Sequence, residues 1–373
     1  MAPRIPKKAQ TEGSFNFDPD QFFEKWEKGE IGGPDDNDFK KCISRSFGLR
    51  PNDTYKYKAI AEVTLDQAQT YLNYGDQGRL LEWYRDEEGK KLPGPPEPDI
   101  TAYTTLFLST TSTPSALKAL LSNARKSTLR LTIATHLTAL YLPPSPTIPI
   151  PKLKSPHLNP YLDLWIWSCH ALKWGGPDPG TAETKISHAL LPVLYHHFGC
   201  VVPSFEALFM IKTLAKGRPV VDLGSGNGYW TYMLRRLDRP QGKLEVVPVD
   251  SGHSVWRTVW VGDTVVGDGV KFLEGRDGGR GDLLLLVYPQ VSDDFTGKVL
   301  RAYKGDTVVV AGTQNGNGFT GFEGETIDKW MERERKEMVL TARVPLPSFA
   351  GKDEALFVFQ RKDVNEAQSR SPK

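Results

Sequence analysis

Residues 220–230 read VVDLGSGNGYW, an apolar run that ends in an acid and continues into a cluster of glycines. Val220 and Val221 predict a buried strand that Asp222 closes. The glycines at 224–228 predict a tight loop, and residues 229–237 predict the helix that follows. In an open α/β sheet, this arrangement brings backbone N–H groups and a helix N-terminus up to a ligand. We therefore expect a ligand site where this strand ends.

The spacing of the glycines distinguishes between nucleotide-binding folds. A dinucleotide fingerprint needs G-x-G-x-x-G, whose last glycine would fall at position 229, where the chain has Tyr229. A nicotinamide oxidoreductase is therefore disfavoured. The pattern D-L-G-S-G-N-G instead resembles the first motif of class I S-adenosylmethionine-dependent methyltransferases. The resemblance implies that the cofactor is S-adenosyl-L-methionine and that its methionine end is held by Asp222, Gly224, Ser225, Gly226, Asn227 and Gly228.

Two further acids follow the glycine loop in the order that this family requires. Asp250 ends a second short apolar run, and the resemblance implies that its carboxylate accepts hydrogen bonds from the ribose hydroxyls. Asp268 and Gly269 then occur where the family bounds the adenine ring. The cofactor resemblance therefore rests on three consecutive strand ends rather than on a single loop.

The apolar runs downstream predict the rest of a sheet. Runs at 283–287 and 307–310 are typical of strands that are buried on both faces, and β-rich runs at 339–344 and 355–360 follow them. We predict an α/β fold for residues 179–363: a seven-stranded, methyltransferase-type Rossmann-like sheet whose last strand is antiparallel.

The same half of the chain resembles a poorly described methyltransferase-like subgroup. Its members pair a P-S-x-E-A-L helix, here at 203–208, with G-x-G-x-G-Y-W and with an R-A-Y-x-G-D turn, here at 301–306. Methyltransferases often place a helix like the first one over the methionine end, which makes Glu206 a candidate contact for the cofactor's ammonium group. The subgroup implies a fold and a cofactor but no substrate.

The amino-terminal half predicts a second, mainly α-helical domain over residues 15–178 with proline-rich loops. Helical patterns occur at 53–90 and 101–142, where Ser115 is a candidate helix cap. Residues 1–14 and 364–373 are predicted to be disordered tails. The aromatic segment YLDLWIWSCHALK, residues 161–173, either stacks on a nucleic-acid base or packs the two domains together, and we favour packing.

Composition restricts the partners, metal sites and cellular location expected for the protein, but not its activity. A net charge of +2 over 373 residues neither requires nor excludes a nucleic-acid partner. Three widely spaced cysteines indicate neither a disulfide framework nor a zinc site, and the histidines at 188, 196 and 197 lack metal-ligand spacing. We expect no metal, no membrane span and no secretory signal. The predicted location is intracellular, cytoplasmic or nuclear rather than mitochondrial.

The group that aligns the methyl acceptor is expected directly after the fourth strand. The chain has Tyr288, Pro289 and Gln290 there, and these are the candidate catalytic residues. Amino-directed methyltransferases keep N/D/S-P-P-Y/F/W at this point, so the single proline puts planar-amine chemistry in doubt. Asp293 or Asp294 is a candidate base. The glycine-rich and amide-rich segment 312–324 is either a loop that closes over substrate or a solvent loop.

Two functions follow from these patterns. The first is a methyltransferase that acts on a macromolecular acceptor, RNA or protein, because a separate recognition-sized domain precedes the sheet. The second is a catalytically degenerate scaffold or RNA-binding subunit of a larger complex. A pocket that is open beside Tyr288 would favour the enzyme, and one blocked by side chains would favour the scaffold.

Overall fold

The computed structural model describes residues 17–49, 54–57, 60–75, 83–184, 188–237 and 244–362. Both predicted tails, 1–14 and 364–373, lie outside these residues. Thirteen helices in the described residues are α1 Pro19–Glu27, α2 Phe39–Phe47, α3 Leu65–Tyr74, α4 Glu97–Thr104, α5 Thr113–Ser122, α6 Leu129–Leu140, α7 Pro160–Ala171, α8 Leu190–Phe198, α9 Phe205–Ala215, α10 Tyr229–Leu237, α11 Gly269–Glu274, α12 Phe295–Ala302 and α13 Ile327–Glu334.

The strands form two sheets. Their bounds are β1 Thr54–Tyr57, β2 Ile60–Thr64, β3 Val220–Leu223, β4 Val246–Asp250, β5 Val265–Val266, β6 Leu283–Val287, β7 Thr307–Thr313, β8 Met338–Pro345 and β9 Glu354–Arg361. Strands β1 and β2 form an antiparallel hairpin, and the other seven form one sheet in the order β5-β4-β3-β6-β7-β9-β8.

The large sheet confirms the predicted fold. Neighbouring strands from β5 through β4, β3 and β6 to β7 are parallel, and the last strand, β9, runs antiparallel between β7 and β8. The strand order reverses at β3, which has β4 on one side and β6 on the other. Ligands of open α/β sheets bind at such a switch point, outside the carboxyl ends of the strands.

Both faces of the central strands β3, β6, β7 and β9 are buried, as the continuous apolar runs at 283–287 and 307–310 predicted. Val220 and Leu285 belong to the core that the sheet shares with the amino-terminal helices, whereas their neighbours Val221 and Leu284 belong to the core on the opposite face. Successive residues of a strand point to opposite faces. The amino-terminal helices therefore form one covering layer of the sheet.

Tryptophan side chains join that layer to the sheet. Trp165 in α7 is fully buried, and its indole Nε1 donates to the Ser348 carbonyl at 3.1 Å. Trp174 donates to the same carbonyl at 2.8 Å. The preference for packing over base stacking is thus confirmed for Trp165, while Trp167 is half-buried and stacks on Phe39. The division into domains at residue 178 stays a prediction.

The predicted helical pattern over 53–90 is wrong in its first part. Residues 54–57 and 60–64 pair as a hairpin, because Thr-Tyr-Lys-Tyr and Ile-Ala-Glu-Val-Thr are rich in β-branched and aromatic residues. The helix begins only at Leu65, where Thr64 and Gln67 form a capping box. The predicted cap at Ser115 is also wrong, since α5 begins at Thr113 with Pro114 in its first turn and Ser112 at the cap position.

We expect Trp165→Ala to lower the free energy of unfolding by about 3–5 kcal/mol, because it removes a large buried side chain and leaves a cavity. Urea denaturation followed by fluorescence or circular dichroism measures the change. Tyr74→Ala is the matched control, since this ring is 55% exposed and its loss should change stability by at most about 0.5 kcal/mol. Equal stability of the two variants would contradict the packing of α7 on the sheet.

Candidate functional site

A cavity of about 440 Å³ opens at the carboxyl edge of the sheet, beside the strand-order reversal. The loops that follow β3, β4, β5 and β6 supply its walls, so that segments far apart in sequence meet there. Ten of the predicted site residues line it: Gly224, Ser225, Gly226, Asn227, Asp250, Asp268, Gly269, Tyr288, Pro289 and Gln290. The two others, Asp222 at the end of β3 and Gly228 at the end of the glycine loop, do not line it.

The glycine loop is held against the end of β4 by its backbone. The N–H groups of Gly224 and Ser225 both donate to the Val249 carbonyl, at 2.7 and 3.1 Å. Gly228 adopts a left-handed φ of +81°, and a Cβ there would lie 2.3 Å from Val261 Cγ2. The position therefore requires glycine for its backbone conformation and for the close approach of its neighbour.

Asp250 links this loop to the next one. Its Oδ2 accepts from the Gly226 N–H at 3.0 Å, and its Oδ1 accepts from the Gly252 N–H at 2.8 Å. A carboxylate oxygen can accept more than one hydrogen bond. The side chain therefore stays able to accept from a ligand hydroxyl while it fixes the two loops.

Asp222 is fully buried at the end of β3. Thr231 Oγ1 donates to its Oδ2 at 2.6 Å, whereas its Oδ1 has no partner. Burial raises the pKa of Asp222 to about 7, and the nearby charge of Asp250 adds to the shift. The Asp222 side chain therefore packs behind the glycine loop and does not form part of the cavity wall.

Asp268 and Gly269 position the third wall. Asp268 accepts from the Lys271 N–H at 2.9 Å and so caps α11. Gly269 packs directly against Leu223, because a Cβ there would lie 2.6 Å from Leu223 Cδ2. The cap leaves the start of α11 facing the cavity beside the glycine loop.

The candidate catalytic residues form the far end of the cavity. Tyr288 has a left-handed φ of +52°, and its N–H donates to the Ala311 carbonyl at 2.7 Å. Burial raises the pKa of Tyr288 well above its ordinary value, so the hydroxyl stays protonated at neutral pH. The Pro289 carbonyl accepts from the Gly321 N–H at 2.9 Å, and Gln290 is exposed at the rim.

Sequence reasoning missed the segment 251–262, which has no regular periodicity and whose residues Ser251, His253, Ser254 and Trp256 line the cavity. Trp256 lies over the glycine loop, since a Cβ at Gly226 would be 3.0 Å from its ring. Trp260 donates from its backbone N–H to the Asn227 carbonyl at 2.8 Å and from Nε1 to the His197 carbonyl at 2.6 Å. The one sequence feature that could have indicated this segment is a pair of tryptophans in the short connection between β4 and β5.

Two other residues considered in the sequence analysis, Glu206 and Asp294, do not line this cavity. Glu206 accepts a hydrogen bond from Thr113 and lines a separate cavity of about 250 Å³ beside the proline-rich segment 143–151, so the predicted contact with the cofactor is wrong. Asp294 pairs with Arg301 at 2.9 Å. Within the described ranges there is no cluster of three or more potential metal ligands and no helix able to cross a membrane.

Three buried polar atoms around the glycine loop lack hydrogen-bond partners: Asp222 Oδ1, Ser225 Oγ and Asn227 Nδ2. Folded proteins satisfy nearly all such atoms, because a buried polar group without a partner is destabilising. Ser225 and Asn227 line the cavity, where a polar ligand can complete their atoms, whereas Asp222 Oδ1 lies behind the loop. Donors and acceptors are both present, which fits an amino-acid moiety that carries both an amine and a carboxylate.

No family model matches the sequence, and no curated protein matches it. Solved structures that match part of this chain include the calicheamicin-biosynthesis methyltransferase CalO1 in its SAH-bound form, with 16% identity over 45% of this chain and TM-score 0.26. The match spans 57% of the length of CalO1. A second is a SAM dependent methyltransferase from Aquifex aeolicus, with 13% identity over 49% of this chain and 99% of that chain and TM-score 0.26. A third is the 16S rRNA methylase RmtB, with 11% identity over 73% of this chain and 100% of that chain and TM-score 0.24. Similarities this distant carry no information about ligand or activity.

The buried Asp222 should make stability fall as the pH rises. Between pH 3.8, the ordinary pKa of this carboxyl, and about pH 7, Asp222 keeps a proton in the folded protein that it has released in the unfolded chain. Each unit of this difference is worth about 1.4 kcal/mol. We therefore expect Asp222→Asn to gain about 2–4 kcal/mol relative to the native protein between pH 4 and pH 8, measured by urea denaturation.

The control for this experiment is Asp263→Asn, which removes a surface carboxylate whose pKa the Arg235 guanidinium lowers. That carboxylate is 61% exposed, so its variant should change stability little at any pH. A difference between Asp222→Asn and the native protein that does not vary with pH would contradict the buried, protonated state of Asp222.

Proposed function

We propose that the protein is an S-adenosyl-L-methionine-dependent methyltransferase that acts on a macromolecular acceptor, RNA or protein. The observation that carries this proposal is one cavity in which the glycine loop, two strand-end acids and the Tyr288-Pro289-Gln290 segment meet. A nucleoside joined to an amino acid needs contacts of different kinds along its length, and the successive walls of the cavity offer such different contacts.

In this proposal each wall holds one part of the cofactor. The unpartnered Ser225 and Asn227 side chains, with Asp222 beneath them, hold the methionine end. Asp250 accepts from the ribose hydroxyls, and Asp268 with Gly269 bounds the adenine ring. Tyr229, buried at the start of α10, takes the place of the glycine that a pyrophosphate would need.

The chemistry proposed for the chain is chiefly alignment. When bound, S-adenosyl-L-methionine supplies a methyl group that its sulfonium makes electrophilic. Tyr288, Pro289 and Gln290 then orient the acceptor, because correct placement of two reactants removes a large part of the barrier. Since the Tyr288 hydroxyl stays protonated, it acts as a hydrogen-bond donor or acceptor and not as a base.

The degenerate scaffold is less well supported. That alternative required side chains to block the pocket beside Tyr288, yet Tyr288, Pro289 and Gln290 all line the open cavity. A macromolecular acceptor is supported by the helical layer over the sheet and by the exposed rim at Gln290. Three buried cysteines without disulfides fit the proposed intracellular location, cytoplasmic or nuclear.

Calorimetric titration of the purified chain with S-adenosylmethionine tests the proposed cofactor. We expect saturable one-to-one binding that Asp250→Ala weakens at least about tenfold, because the variant loses the ribose acceptor and the bridge between two loops. Asp263→Ala is the matched control, since this acid pairs with Arg235 outside the cavity. Absence of binding by the folded native chain would contradict the proposal, and so would equal affinity of the two variants.

A further inference from the structure

The separate cavity of about 250 Å³ that Glu206 lines has no part in the proposed cofactor site. Three segments supply its walls, namely 106–114, 141–151 and 204–206, and none of its lining residues lines the larger cavity. Cavities for drug-sized ligands usually measure about 300–1,000 Å³. This one therefore fits a single amino-acid side chain or a small organic ion.

Prolines form much of this wall, so we refer to it as the proline-rimmed cavity. Six of the lining residues are prolines: Pro114, Pro143, Pro144, Pro146, Pro149 and Pro151. Proline has no backbone N–H, so these residues cannot donate hydrogen bonds to a ligand. The described residues that line the cavity also include no lysine, arginine or histidine. An anionic ligand is therefore disfavoured.

Glu206 supplies the charge of the proline-rimmed cavity. It is the one acid among the described lining residues, and Thr113 Oγ1 donates to its carboxylate. Its place in the first turn of α9 favours the ionised form, although burial raises the pKa of this carboxyl. Buried charges in proteins are usually paired. A cationic group is thus the ligand that would complete Glu206.

Three aromatic residues line the cavity together with Glu206: Phe107, Tyr141 and Phe205. Burial raises the pKa of Tyr141 and the charge of Glu206 adds to the rise, so the phenol lies within electrostatic reach of the carboxylate. The Phe107 ring packs edge-on against Trp165, with 5.1 Å between the ring centroids, which fixes its position. Aromatic rings attract cations, and they are used in particular to recognise methylated ammonium groups.

The hydrogen-bonding capacity of the cavity favours a methylated cation over an unmethylated one. The Ser109 hydroxyl already accepts from the His157 N–H at 2.7 Å, and the Ser204 hydroxyl accepts from the Ala207 N–H at 3.2 Å. An unmethylated ammonium group carries three N–H donors and a guanidinium group five. Each donor that leaves water without finding an acceptor is costly. A dimethylammonium group carries a single N–H, which Glu206 can accept.

We propose that the proline-rimmed cavity binds the dimethylammonium group of a methylated lysine side chain in a partner protein. Glu206 accepts the single N–H of this group, and the aromatic lining residues contact its methyl groups. Pro143 and Pro146 are exposed at the rim, so the lysine side chain can enter while its backbone stays outside. The inference goes beyond the proposed function, because it concerns recognition of a group that is already methylated, at a second site.

Ligand-observed NMR titration of the native chain with Nα-acetyl-Nε,Nε-dimethyllysine methylamide tests the inference. The comparison ligands are the unmethylated lysine amide and a neutral analogue in which C–H replaces the N–H of the dimethylammonium group. We expect the dimethylated ligand to bind at least about fivefold more tightly than either, because it alone combines a positive charge with methyl groups. Equal affinity for all three ligands would overturn the inference, and so would absent binding of the dimethylated one.

Choline distinguishes a protein side chain from a free methylated amine. It presents a methylated ammonium group without a peptide backbone, and it has no N–H for Glu206 to accept. We expect choline to bind at least about threefold more weakly than the dimethylated lysine ligand, because it lacks this charge-assisted hydrogen bond. Equal or tighter binding of choline would overturn the assignment to a partner protein.

Glu206→Gln removes the charge, but it keeps the size of the side chain and an oxygen that can accept from Thr113. This variant should bind the dimethylated ligand at least about fivefold more weakly than the native chain does. Its thermal stability should not fall, because burial opposes the charge that it removes. Glu332→Gln, on the exposed side of α13, is the matched control and should bind as the native chain does. Undiminished binding by Glu206→Gln would overturn the inference.

Two variants at Tyr141 test the aromatic contact without changing Glu206, and they decide the question if Glu206→Gln does not fold. Tyr141→Phe keeps the ring and should bind the dimethylated ligand within about twofold of the native affinity. Tyr141→Leu removes the ring from this half-buried position and should bind at least about threefold more weakly. Equal affinities of these two variants would overturn the aromatic contact and with it the inference.

Titration with S-adenosylmethionine separates this inference from the proposed function. Glu206→Gln should bind the cofactor with native affinity, because Glu206 does not line the cofactor cavity. Absent binding of S-adenosylmethionine by the native chain would overturn the proposed function alone. Absent binding of the dimethylated lysine ligand would overturn the present inference alone.

Discussion

The hydrogen bonds and ring contacts of Trp260 hold the candidate site together. The backbone N–H of this residue fixes the glycine loop through Asn227, and its indole N–H fixes the end of α8 through His197. The same ring packs against Phe22 of α1 at 5.4 Å and against Tyr229 of α10 at 4.7 Å. The amino-terminal helix, the helical layer and the cavity wall therefore meet at one buried side chain, and each depends on the others for its position.

The strands of the sheet could be predicted because each apolar run identifies its strand without reference to residues distant in sequence. A parallel strand that is covered on both faces needs apolar residues throughout, so 283–287 is recognisable without its neighbours. The hairpin at 54–64 and the segment 251–262 could not be predicted in this way. The segment is fixed by contacts such as those of Trp260 with Asn227 and His197, which lie far apart in sequence, and no periodicity records such contacts.

The candidate site likewise contains residues that could be predicted from the sequence and residues that could not. Gly226 and Asp250 were predictable because the end of a strand and a glycine loop define a position in any parallel sheet, and the structure brings them within 3.0 Å. Trp256 was not, since it lies in a segment without periodicity and its position over Gly226 is fixed only in the folded arrangement.

Hydrogen exchange of the backbone amides with and without S-adenosylhomocysteine tests the central claim that this cavity binds the cofactor. We predict slower exchange in the glycine loop at 224–228, after β4 at 250–252 and at the start of α11. The amides of Ile148 and Ile150, which line the separate cavity of about 250 Å³, should not change. Slower exchange confined to the proline-rich segment, or none at the three strand ends under saturating ligand, would contradict the account.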